Sequence, residues 1–179
     1  MSIPEFRYHP DPIGSGSVVP SEASCACCGK ARGYIYAGPV YAEDELADAI
    51  CPWCIADGSA HKKYDATFFD EESCDEDIPA RTIRKICERT PGFATWQQGA
   101  WPACCGDATA FVMPVGSAEI RAKHPSMEGM LMGDIVHEMQ ISGGAATRLF
   151  NELSLDKGPT AFVFRCLHCE TPHFHIDQP

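Results

Sequence analysis

The chain has 179 residues, 45% of them hydrophobic, with 15 Gly, 14 Pro and 11 Cys, and its 14 Lys and Arg against 25 Asp and Glu give a net charge of −11. That length allows one domain or two small ones, and the charge repels phosphate backbones and anionic lipid while admitting a protein partner or a cationic ligand. No run approaches the about 20 apolar residues of a membrane span.

Residues 1–24 carry Pro4, Pro10, Pro12 and Pro20 with Gly14 and Gly16, which forbid a helix and predict an extended arm. Phe6 and Tyr8 are its anchors, and His9 is expected to be a solvated turn residue. Residues 2–10 show neither the basic nor the apolar stretch of a secretory signal. The cysteines are therefore read as reduced, cytoplasmic and used for metal.

Cys25-Ala26-Cys27-Cys28-Gly29 supplies a first Cys-x-x-Cys pair, Cys25 and Cys28, closed by a glycine that can take positive φ. Residues 33–41 predict a hairpin about Gly38-Pro39. Residues 42–50, with Leu46, Ala49 and Ile50 among acids, predict a short amphipathic helix. Cys51-Pro52-Trp53-Cys54 is the second pair, and a weak helix follows from Ile55. Knuckle, hairpin and a second pair near a helix start is the order of a treble-clef zinc finger, with a plain zinc ribbon as the other option.

Residues 65–79 form an acidic connector whose spacing fits no EF-hand loop. Pro79 opens a helix with Ile83, Ile86 and Cys87 on one face, and Pro91-Gly92 closes it. Trp96, Gln97, Gln98 and Trp101 either anchor the core or line a partner surface. A strand over Thr109–Met113, helices near 117–123, 126–140 and 144–153, a strand over Thr160–Phe164 and a short strand over His173–Ile176 complete the chain. The expected class is α+β: a small zinc-stapled domain over residues 1–65, a connector over 66–79, and a second α+β zinc-knuckle domain over 80–179.

Twenty-two residues separate the first two pairs, the spacing of a four-cysteine zinc site, so Cys25, Cys28, Cys51 and Cys54 are one expected ligand set. Cys166 and Cys169 form a third pair whose partners can only come from Cys104 and Cys105. Each cluster abuts a Thr-Ala-Phe-Val strand, and antiparallel pairing of those strands would bring 105 beside 166. Cys104, Cys105, Cys166 and Cys169 are the second expected set, with His168, His173 and His175 as alternative ligands. Two zinc ions are expected, and each four-thiolate site would add two negative charges, taking −11 to −15. Cys27 is left as a possible substitute ligand, Cys87 as core, and Cys74 as a thiol dulled by the acidic loop.

Cys51-Pro-Trp-Cys54 also matches a redox dithiol, but its lead-in is acidic and helical rather than a hydrophobic strand. Asp57 and His61 are the candidates for a metal-dependent enzyme beside Cys51 and Cys54. No catalytic order or phosphate-cradling loop appears, so a cytoplasmic protein-binding or adaptor module is favoured over an enzyme or thiol redox protein, and nucleic acid is disfavoured by charge.

The stretches Phe6-Arg-Tyr-His-Pro-Asp-Pro12, Cys25-Ala-Cys-Cys-Gly29, Cys51-Pro-Trp-Cys-Ile-Ala-Asp-Gly-Ser-Ala60, Trp96-Gln-Gln98, Cys105-Gly-Asp107 and Phe164-Arg-Cys-Leu-His-Cys169 resemble the CbrC family of bacterial proteins, associated with colicin tolerance. The resemblance spans nearly the whole chain. Family members tend to have His where this chain has Cys104, which favours that position as a ligand. The resemblance implies an architecture and no settled activity.

Overall fold

The computed structural model describes residues 2–97 and 99–179 and is a mixed α+β structure with small sheets. Gln98 of the Trp-Gln-Gln stretch and the initiator Met1 lie outside the described residues.

Strand β1 (Val18–Ser21) pairs antiparallel with β2 (Gly33–Tyr36), in the register Val18↔Tyr36 to Ser21↔Gly33. The hairpin expected about Gly38-Pro39 does not form. Tyr41 instead bridges to Thr67, and the Tyr36 N–H donates to the Ile50 carbonyl. Pro20 is tolerated in β1 because an edge strand does not need every N–H.

Residues 42–50 are irregular, correcting the expected amphipathic helix. Leu46 and Ile50 are buried as their pattern demands, but the backbone serves distant partners: the Ala49 carbonyl accepts from Ala26. Asp48 sits at positive φ, which a helix cannot accommodate.

Two short helices follow, α1 (Pro52–Ala56) and α2 (Ser59–Tyr64), then a single 3-10 turn (Glu71–Ser73) inside the acidic connector. Helix α3 (Ala80–Arg89) starts after Pro79 and buries Thr82, Ile86 and Cys87. The tight hairpin of β3 (Ala103–Cys104) and β4 (Asp107–Ala108) leads to the main sheet.

That sheet is antiparallel, in the order β5 (Ala110–Val115), β6 (Thr160–Arg165), β7 (Pro172–Asp177). Helices α4 (Ser117–Lys123), α5 (Pro125–Met139) and α6 (Gly143–Glu152) lie between β5 and β6 in sequence. Alternation along the central strand β6 divides the core. Ala161 and Val163 join Ile120, Leu131, Ile135 and Phe150 of the helices on one face. Phe162 and Phe164 join Phe69, Phe93, Trp101 and Phe111 on the other. Phe93 is the hub of that aromatic layer, with five ring neighbours at centroid distances from 4.1 to 5.7 Å. A further apolar cluster surrounds β2, α1 and the first cysteine pairs.

His9 is buried, against the expectation of a solvated turn residue. Its Nδ1 lies 2.7 Å from the Pro91 carbonyl and its Nε2 2.7 Å from Ser15 Oγ, with Phe111 edge-on to the ring. A carbonyl only accepts, so Nδ1 carries the proton and neutral Nε2 accepts from Ser15. Burial pushes the imidazole down to about 4 from 6.5, and the Pro91 carbonyl only partly opposes this. Above pH 6.5 both folded and unfolded states hold it neutral. As pH falls towards about 4, the unfolded chain gains a proton that the folded one refuses. The resulting loss approaches about 3 kcal/mol. Urea midpoints at pH 7 and pH 5 are expected to differ less in His9→Gln than in the native protein. An equal difference would mean that His9 does not titrate this way.

Candidate metal centres

The first cluster is built by two local turns. Cys25 and Cys28 sit in the loop joining β1 to β2, where the Gly29 N–H donates to the Cys25 carbonyl at 2.7 Å and Gly29 takes φ +70°. Cys51 caps α1 with extended backbone, Pro52 occupies the first helical turn, and Cys54 follows one turn later. The Tyr36–Ile50 and Ala26–Ala49 backbone bonds bring the two turns together. Cys25 Sγ lies 3.8 Å from Cys54 Sγ, and Cys28 Sγ 3.9 Å from Cys51 Sγ.

The second cluster joins two hairpin ends. Cys104 pairs with Asp107, leaving Cys105 (φ +54°) and Gly106 (φ +73°) as a two-residue turn with both φ positive, the geometry a tight hairpin needs. That turn aims two adjacent cysteines at one point. The register Ala110↔Arg165 sets it against Cys166 and Cys169, which flank the β6–β7 turn. Cys104 Sγ is 3.8 Å from Cys105 Sγ and 3.7 Å from Cys169 Sγ.

Within each group of four, all sulfurs lie within 4.8 Å of one another, and each group could hold a metal ion. Sulfurs at about 2.3 Å from a central zinc stand about 3.8 Å apart in a tetrahedron, which the spacings of 3.7–3.9 Å match, with every other pair within 4.8 Å. Among the described residues these two are the sole clusters of this kind. Backbone N–H groups already point at the sulfurs: Cys51 N–H at Cys25 Sγ (3.3 Å), and His168 and Cys169 N–H at Cys166 Sγ (3.4 and 3.5 Å).

The two differ in exposure. Cys25, Cys51 and Cys54 are buried, whereas Cys105 and Cys169 are exposed. Burial pushes the Cys51 thiol up to about 11 and Cys54 above the ordinary thiol range. Burial also acts to raise Cys25, but the N–H groups of Cys51, Cys28 and Cys27 outweigh it and bring that thiol to about 7. Cys169 falls to about 6 because it bonds Thr171, whose Oγ1 lies at 3.2 Å.

The remaining candidates have other tasks. Cys27 Sγ faces Ser59 Oγ at 3.6 Å and belongs to neither cluster. His168 Nε2 is 3.5 Å from Asp107, while His173 and His175 line a different depression with Glu138. Asp57 accepts from the Ser59 N–H at the start of α2, and His61 sits between the Ala66 carbonyl and Glu88, so neither assembles a site with Cys51 and Cys54. Cys87 is buried, and its thiol is raised by the adjacent Cys74 and by burial.

The tryptophans divide. Trp101 is 1% exposed and its Nε1–H donates to the Thr109 carbonyl at 2.8 Å. Trp96 is 45% exposed, donates from Nε1 to Thr160 Oγ1 at 3.0 Å, and borders a cavity of about 390 Å³ with Phe93, Phe162 and Leu155.

Sequence reasoning missed Asp107. Its carboxylate accepts from Tyr8 Oη at 2.9 Å, Arg7 at 3.0 Å and the Ala108 N–H at 2.9 Å, tying the N-terminal arm to the second cluster. Burial alone would raise its pKa, but these donors outweigh burial and hold it below the usual carboxylate value. The one hint was its place directly after the Cys105-Gly106 turn.

No helix among the described residues is long and apolar enough to cross a membrane. The family model described as an uncharacterised protein family, UPF0167, matches residues 3–178. UPF0167 proteins of Mycobacterium bovis and Mycobacterium tuberculosis are each 44% identical over 173 residues, covering 94% of this chain and 90% of their own length. A UPF0167 protein of Pseudomonas aeruginosa is 41% identical over 179 residues, covering 98% of this chain and 97% of its own. No solved structure matches. The resemblance to the CbrC family is thereby corrected: the matching family and these relatives bear the UPF0167 name, and none of them carries CbrC or colicin tolerance.

Proposed function

The chain belongs to the UPF0167 family, and from that premise we propose that it is a cytoplasmic protein-binding module held in shape by two structural zinc ions. The observation that carries this is the donor set. Each cluster presents four thiols at tetrahedral spacing, a closed set that leaves no position for substrate, whereas catalytic zinc keeps one position open. Cys25, Cys28, Cys51 and Cys54 are the ligands of one ion, and Cys104, Cys105, Cys166 and Cys169 those of the other. A knuckle between paired strands that faces the first turn of a helix supports a treble-clef-like reading of the first site over a zinc ribbon. Zinc thiolates of this kind persist where thiols stay reduced, which supports the cytoplasm as the working compartment.

The test is metal content with thiol titration. Protein purified without chelator is expected to hold two zinc ions per chain, with the eight ligand thiols reacting only as zinc leaves. Metal-free protein that still melts cooperatively would overturn the proposal. So would a reversible Cys51–Cys54 disulfide formed with both zinc ions retained, which would identify a redox dithiol.

A further inference from the structure

Helix α3 carries Arg81, Lys85 and Arg89 at four-residue intervals, all exposed. Among the described residues, no carboxylate lies within ion-pair distance of any of the three. Arg7 of the N-terminal arm runs beside them. Two adjoining depressions, of about 690 and 540 Å³, share Arg7 and Lys85 as their common wall, with Arg89 at one end and Arg81 at the other. The two depressions together make a groove bordered by Arg81, Lys85 and Arg89 and by Arg7, whose charge is already met by Asp107, on a chain of net charge −11. The Lys85 ammonium stands 5.8 Å over the Tyr8 ring, and Arg89 is braced by two hydrogen bonds to the Ala56 carbonyl, of 3.0 and 2.7 Å. Unlike freely moving surface lysines, these two are already held along the groove, which lowers the entropy lost when an anion docks.

We infer that this groove binds an acidic, extended peptide segment of a partner protein. The inference rests on the protein-binding reading above and names the partner's chemistry. Four residues of helix rise about 6 Å, while alternate side chains on one face of an extended strand stand about 6.6–6.8 Å apart. Acids at alternate positions of such a segment can therefore meet Arg81, Lys85 and Arg89 in turn. The negative groups at the margins confine the ligand to this stretch. Glu5 borders the depression that holds Arg89, and Asp107 borders the one that holds Arg81, where it is occupied by Tyr8, Arg7 and Ala108. Single-stranded nucleic acid needs exposed aromatic faces for its bases. The two aromatic residues lining the groove, Phe6 and Tyr8, are each only 4% exposed, so peptide is favoured.

The experiment is fluorescence anisotropy on protein of verified zinc content. The probes are a labelled peptide alternating Glu and Ser, its Gln-for-Glu analogue, and an oligothymidylate of equal charge. The acidic peptide is expected to bind at low salt, the Gln analogue not at all, and affinity to fall about tenfold on reaching about 0.15 M salt. The double variant Arg81→Glu/Lys85→Glu is expected to weaken binding at least about tenfold, with its melting curve unchanged. Lys123→Glu, on the exposed end of α4, is expected to leave binding intact. Zinc-loaded, folded protein that ignores the acidic peptide would overturn the inference while leaving the zinc reading untouched, as would undiminished binding by the double variant. Tighter binding of the oligothymidylate would reassign the groove to nucleic acid. Self-association abolished by the double variant would reassign it to the acidic loop of a second copy.

Discussion

Serine in place of Cys51 is expected to reduce bound zinc from two ions per chain to one and to unfold the residues around β1, β2, α1 and α2. Cys25, Cys51 and Cys54 are themselves members of the N-terminal apolar cluster, so a metal held by them would share its volume with the core. Among the described residues the sheet there has two strands, and a lone hairpin is marginal in water. Zinc binding contributes about 10–16 kcal/mol to the folding of finger peptides, as much as the whole stability of an ordinary domain at about 5–15 kcal/mol. A serine hydroxyl does not replace a thiolate, and the other three sulfurs would be left buried without their cation. Cys105→Ser also removes a ligand, but at an exposed position beside a three-stranded sheet whose helical face packs without it. Amide exchange should therefore show N-terminal protection lost in Cys51→Ser and protection of β5–β7 largely kept in Cys105→Ser. Equal unfolding in both variants, or none in either, would refute the role given to the first metal.

Trp101→Ala is expected to cost about 3–5 kcal/mol, the range for emptying a large aromatic site in a core. The ring meets Phe69 at 5.0 Å, Phe93 at 5.6 Å and Phe164 at 5.9 Å. Its loss would leave the Thr109 carbonyl without its Nε1–H donor and open a void that flat neighbouring rings cannot fill by small shifts. Trp96→Ala, at a half-exposed ring, should cost no more than about 1 kcal/mol. Chemical denaturation of the two variants side by side checks this. Similar losses would show that Trp96 is as much a core residue as Trp101.

These two tryptophans mark the limit of sequence reasoning. Both sit in the same irregular stretch, and no local pattern separates them. What decides is that Trp101 is paired with Ser73 and Asp75 through its backbone, which carries its ring under β6. His9 and Asp107 were invisible for the same reason. His9 is fixed by Pro91 and Ser15, and Asp107 by Arg7 and Tyr8 about a hundred residues away in sequence. The irregular path of residues 42–50 likewise answers to partners on the knuckle and β2 that no helical periodicity registers.

Local signals sufficed where the governing interactions are themselves local. Two residues between cysteines place two sulfurs on one turn, which marked the pairs Cys25/Cys28, Cys51/Cys54 and Cys166/Cys169; Cys104 and Cys105 were added by elimination and by the expected pairing of their strands, and the same sulfurs meet in the structure. Pro79 and apolar spacing likewise marked α3, and helices were expected where α4 to α6 lie. Tertiary packing alone decided that β2 pairs backwards with β1, that the N-terminal arm is tied to the second cluster, and that Arg7 joins α3 to form a cationic groove. Each of those outcomes joins residues far apart in the chain, where contact is chosen by competition for buried surface and backbone partners rather than by the residues' immediate neighbours.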